Sequence, residues 1–107
     1  MKKILILGTA LLCGFLCRVA AQGVEFRDLT FGQALEQART ENKLVFMDCY
    51  TSWCGPCKNM LKNVFTLPEA GEFMNAHFVC VKYDMEKGEG IGLKKQFAVR
   101  AFPTFFI

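Results

Sequence analysis

Histidine is nearly absent: His77 stands alone against six cysteines, and no second Cys-x-x-Cys accompanies Cys54 and Cys57. A closed zinc site needs four ligands, usually two such pairs or one pair with added histidines, so no metal site is expected. An excess of positive charge is also missing. Of 13 Lys and Arg, three (Lys2, Lys3, Arg18) fall in the first 21 residues, and the remaining 10 balance 10 Asp and Glu. Nucleic-acid binding requires a clustered basic face to neutralise phosphates, so no such partner is expected. No repeat, linker or low-complexity segment divides the chain. Its 107 residues, 52% of them hydrophobic, therefore make one small folded domain at most.

The first 21 residues have a separate character. Basic Met1-Lys2-Lys3 precedes an apolar run from Ile4 to Leu16, and Val19-Ala20-Ala21 follows, the plan of a secretory signal peptide cut after Ala21. As a helix the run would extend about 20 Å, short of a bilayer core of about 30 Å. Leu16 before Cys17 does not suit a lipidation signal, which wants a small residue there. The competing reading is an uncleaved leader that anchors the protein, prompted by Arg18 close to the cut. Either way residues 22–107 are exported, and four cysteines stay in the domain: Cys49, Cys54, Cys57 and Cys80.

Along the domain, Thr30 and Gln33 form a capping-box pattern, and Phe31, Ala34, Leu35 and Ala38 mark one face of a helix ending near Asn42. Leu44 to Met47 is a buried strand, with Asp48 directly after it. A second helix runs from Pro56 to about Val64. Thr66-Leu67-Pro68-Glu69 repeats the capping pattern and starts a third, with Phe73 and Met74 inward. Phe78 to Tyr83 is strand-like, Met85 to Gly92 is a loop or loose helix start, and Leu93 and Phe97 share a helical face. Thr104 to Ile107 reads as another buried strand. Strands alternating with helices indicate an α/β fold around a parallel sheet.

The chemistry concentrates in Trp53-Cys54-Gly55-Pro56-Cys57. Two cysteines three residues apart at a helix start can close a disulfide, and the helix N-terminus stabilises a thiolate on the first. Cys54 is thus the nucleophile. Cys57, further in and less accessible, is the resolving thiol. Gly55-Pro56 starts the helix.

These residues, continued by Lys58, resemble the active-site motif of thioredoxins. Asp48, six residues earlier, is similar to that family's buried aspartate, and Phe102-Pro103-Thr104 to its cis-proline segment. Glu41-Asn42-Lys43, Val64 to Pro68 and His77-Phe78-Val79 further resemble exported members, such as the C-terminal periplasmic domain of transmembrane thiol-disulfide interchange reductases. The resemblance implies a central mixed sheet flanked by helices. It also implies that the chain stops at Ile107 before the last strand and helix, as a fragment would.

By the same resemblance Asp48 sits behind Cys57 as a proton acceptor, and Trp53 shields the disulfide and touches substrate. A cis Pro103 frees the Phe102 backbone to bind an extended peptide and keeps a metal from both sulfurs. Gly55, Pro56 and Thr104 complete the substrate-binding set. Cys80 falls where the family often carries a lysine near the aspartate. Cys80 and Cys49 are themselves read as core residues, and His77 as a surface residue at a helix end.

The implied activity is thiol–disulfide exchange without metal, flavin or nucleotide, in the reducing direction because of Gly55-Pro56. It would be performed by a monomer in the periplasm or another extracytoplasmic space. Partners would be disulfide-bearing exported proteins and a membrane thiol reductase as electron donor. The alternatives are a disulfide oxidase or isomerase, and a non-catalytic module that docks partners in the same groove.

Overall fold

The computed structural model describes residues 23–107, and the leader expected at residues 1–21 lies outside them. Thr30 begins the first helix as anticipated. Its hydroxyl oxygen accepts the Gln33 N–H at 3.1 Å, and Gln33 Oε1 accepts the Thr30 N–H at 2.9 Å. Helix α1 (Phe31–Glu41) ends at Asn42, which turns the chain through the left-handed region at φ 57°. Strand β1 (Leu44–Tyr50) follows at once and runs three residues past Met47. Then come helix α2 (Gly55–Asn63), helix α3 (Pro68–His77), strand β2 (Phe78–Asp84), helix α4 (Gly90–Gln96) and strand β3 (Thr104–Phe106).

The strand order is β2-β1-β3, with β1 in the centre. β1 and β2 are parallel, in register from Leu44 opposite Phe78 to Tyr50 opposite Asp84. β3 is antiparallel to β1, with Thr104 opposite Cys49. The sheet is therefore mixed rather than wholly parallel. Side-chain alternation splits the core. Met47, Cys49, Val79 and Val81 pack with Ala34 and Ala38 of α1, while Phe46 and Cys80 pack on the other face with Phe65 and, from α2, Met60 and Leu61.

Three expectations need correction. Thr66 does not cap α3: Leu67 is the N-cap without a side-chain bond, and the Thr66 hydroxyl donates back to the Lys62 carbonyl at 2.7 Å. With Pro68 in the first helical position, Leu67 takes the cap position and Thr66 stays in the turn before it. That entry also sets the helix phase, so Gly71 and Met74 face inward, while Phe73 is 57% exposed and stacks on His77 at 4.5 Å. Finally, β3 is a half-covered edge strand, with Phe105 39% exposed although its ring stacks on Phe46.

Gly90 opens α4 where a Cβ would meet the Asp84 carbonyl oxygen at 1.9 Å, whereas Gly32 in α1 has open space around it. Gly90→Ala should destabilise the fold by more than about 2 kcal/mol, and Gly32→Ala should stabilise it by about 0.5 kcal/mol. Urea unfolding of both variants checks the contrast in sign.

Candidate functional site

β1 ends beside the redox motif. After Tyr50 the chain turns, the Cys54 N–H donating to the Thr51 carbonyl at 3.3 Å, and Cys54 becomes the N-cap of α2. Its sulfur accepts the Cys57 N–H at 3.1 Å. Pro56 sits in the first turn, where its missing N–H costs nothing. Cys54 and Cys57 form a disulfide with Cα atoms 5.3 Å apart. Each is 3% exposed, so burial does not separate nucleophile from resolving thiol as expected. Position does. Cys54 lies at the cap, where its sulfur takes the Cys57 N–H and the positive end of α2 favours a thiolate, and Cys57 lies inside the first turn.

One wall of the site is aromatic. Trp53 is 65% exposed and meets Phe102 edge-on with ring centroids 6.0 Å apart. The Phe102–Pro103 bond is cis. Because β3 is antiparallel to β1, Thr104 lies opposite Cys49, so Phe102 and Pro103 flank the end of β1 from which the motif departs. Gly55 and Pro56 are exposed on the rim. The fold thus gathers Trp53, Cys54, Gly55, Pro56, Phe102, Pro103 and Thr104 at one end of the sheet.

Asp48 is buried on the sheet face covered by α2. Burial pushes its carboxyl up to about 6, and Lys82 pulls it partly back. Among the described residues neither Asp48 Oδ1 nor the Thr51 hydroxyl has a hydrogen-bond partner. Lys82 corrects the sequence reading: register places Cys80 opposite Phe46, and Lys82 opposite Asp48. The Lys82 ammonium lies over the rings of Phe26 at 5.5 Å and Tyr50 at 5.9 Å. Cys49 and Cys80 are buried on opposite faces, and burial pushes both thiols up to about 11, so they pack as small apolar residues. His77 is exposed at the end of α3. Among the described residues no three of His, Cys, Asp and Glu converge on a metal position.

Sequence reasoning missed Lys82, Glu86 and Thr51. Counting both strands from their first residues, Leu44 and Phe78, would have paired Asp48 with Lys82. Glu86 accepts the Trp53 indole N–H at 3.0 Å, and no sequence signal links the two.

A carboxyl whose folded pKa lies above its unfolded value favours the fold at low pH and loses that contribution as pH rises through about 6. Asp48→Asn should therefore stabilise the protein by roughly 2 kcal/mol at pH 8 and by much less at pH 4. Denaturant midpoints at the two pH values measure this, and equal gains at both would contradict it.

Known proteins share this fold. The family model described as "Thioredox_DsbH: Protein of unknown function, DUF255" matches residues 10–100. A solution structure from Bacteroides thetaiotaomicron, described as a candidate disulphide-isomerase, is 50% identical with a TM-score of 0.70, covering 79% of this chain and 70% of that one. A thioredoxin from Thermus thermophilus is 25% identical with a TM-score of 0.67, over 75% of this chain and 62% of that one. Thioredoxin-2 of Pyricularia oryzae is 31% identical over 84% of this chain and 49% of its own length. The chain spans about half to two thirds of the curated relatives it matches. The family match over most of the chain, the shared fold and the disulfide at the start of α2 place this chain in the thioredoxin superfamily.

Proposed function

We propose that the protein is an exported thiol–disulfide oxidoreductase that reduces disulfides in other exported proteins. The observation that carries this reading is the Cys54–Cys57 disulfide at the N-terminus of α2 beside the Trp53–Phe102 wall. In the reduced protein the Cys54 thiolate attacks one sulfur of a substrate disulfide. A mixed disulfide forms, and the other substrate sulfur leaves as a thiolate and takes a proton from water. Cys57 then gives up its proton towards Asp48 and attacks the Cys54 sulfur, releasing the second substrate thiolate. Two electrons have passed to the substrate, and the protein is left as the disulfide.

Each step has a residue suited to it. With a pKa of about 6, Asp48 is mostly ionised at neutral pH and still basic enough to accept a proton. Trp53 and Phe102 offer apolar contact to a peptide, and the Phe102 backbone offers hydrogen bonds to an extended one. No bound cofactor takes part. Export rests on the leader at residues 1–21 and sets the location as periplasmic or extracytoplasmic, with membrane anchoring if the leader is kept. In an oxidising compartment re-reduction needs a donor, for which a membrane thiol reductase is suited. The protein acts as a monomer.

The candidate disulphide-isomerase among its structural relatives favours isomerisation as the second reading. The reduction potential of the Cys54–Cys57 pair, measured by trapping free thiols in glutathione or dithiothreitol buffers, separates the two. A value near about −270 mV supports the reductase, one above about −180 mV assigns an oxidase or isomerase, and one well below about −300 mV indicates a structural disulfide.

A further inference from the structure

Glu86 is fixed at the start of the β2–α4 loop. The preceding residue, Met85, is 1% exposed, and its N–H donates to the Tyr50 carbonyl at 2.8 Å, which pins the loop to the end of β1. The Glu86 N–H donates to Asp84 Oδ1 at 2.9 Å, closing a local turn. From there the carboxylate accepts the Trp53 indole N–H at 3.0 Å. It is exposed and takes part in no ion pair among the described residues, so no cation offsets the carboxylate beside the Trp53 indole. Trp53 directly precedes Cys54, so the carboxylate is bonded to the residue next to the disulfide.

Resting on the oxidoreductase reading, we propose that Glu86 is a specificity-determining residue. It holds the indole as a wall of the groove and makes the site prefer disulfides flanked by cationic groups over those flanked by anionic ones. Without this tether the exposed Trp53 keeps its edge contact with Phe102 but loses the bond that orients its indole N–H. The charge acts at short range and through water, so the preference is several-fold and fades with salt. Lys58, exposed on α2 beside Cys57, carries the opposite charge and is common to every variant below, so it cancels from a comparison among them.

Glu86→Gln separates the two roles because its amide oxygen still accepts the indole N–H while the charge is lost. Glu86→Leu removes both. The pre-reduced purified protein is mixed with cystamine, with dithiodiglycolate and with uncharged bis(2-hydroxyethyl) disulfide, and loss of protein thiols is followed in a single turnover. The ratio of cystamine to dithiodiglycolate rates should fall several-fold in Glu86→Gln at low ionic strength, and the wild-type ratio should shrink in high salt. Emission from the only tryptophan should stay near wild type in Glu86→Gln and change in Glu86→Leu. An unchanged rate ratio in Glu86→Gln overturns the charge preference, and unchanged emission in Glu86→Leu overturns the tether. A wild type that fails to reduce even the uncharged disulfide sinks the oxidoreductase reading itself, which distinguishes that failure from the other two.

Discussion

The site depends on β1 being the central strand. It is hydrogen-bonded to β2 along its whole length and to β3 over its C-terminal half, so its end is held from both sides. That end delivers the chain into the Thr51–Cys54 turn and sets where α2 begins. The same strand buries Asp48 on the face that α2 covers, and β3 brings Phe102 and Pro103 alongside. Met85, donating to the Tyr50 carbonyl, anchors the loop that carries Glu86 to the same place. One strand terminus thus positions Cys54, Asp48, the Trp53–Phe102 wall and Glu86.

Burial and charge then divide the chemistry among these groups. At the cap of α2, Cys54 accepts the Cys57 N–H and sits at the positive end of the helix, which favours its anion. Asp48 experiences the opposite environment, an apolar face that disfavours its anion and holds it where it exchanges protons near neutral pH. Lys82 moderates this without forming an ion pair, its ammonium resting over Phe26 and Tyr50. Cys49 and Cys80 have the opposite setting: burial without a helix terminus pushes both thiols up to about 11, away from the thiolate.

Much of this was legible in the residues. Thr30 and Gln33 marked α1 because capping is a local interaction, and the apolar run after Lys43 marked β1 for the same reason. The Cys54–Cys57 pair and its helix could be read from five residues. Phe102-Pro103-Thr104 was tied to the cysteines only through resemblance, because the contact between Trp53 and Phe102 spans half the chain. What escaped was set by register and phase. The parallel pairing of β1 and β2 put Lys82 rather than Cys80 beside Asp48, and entry at Pro68 turned Phe73 outward. The bond between Trp53 and Glu86 required knowing where a loop is pinned. The direction of β3 could not be read from an apolar run either, since such a run is the same for parallel and antiparallel neighbours.

The central claim is that the N-terminus of α2 makes Cys54 the thiolate of the pair. The most direct measurement is the Cys54 pKa in reduced Cys57→Ser protein, from thiolate absorbance or from the pH dependence of alkylation. The account predicts a value well below about 8.5, that of an unperturbed thiol, and a value at or above it would contradict the account.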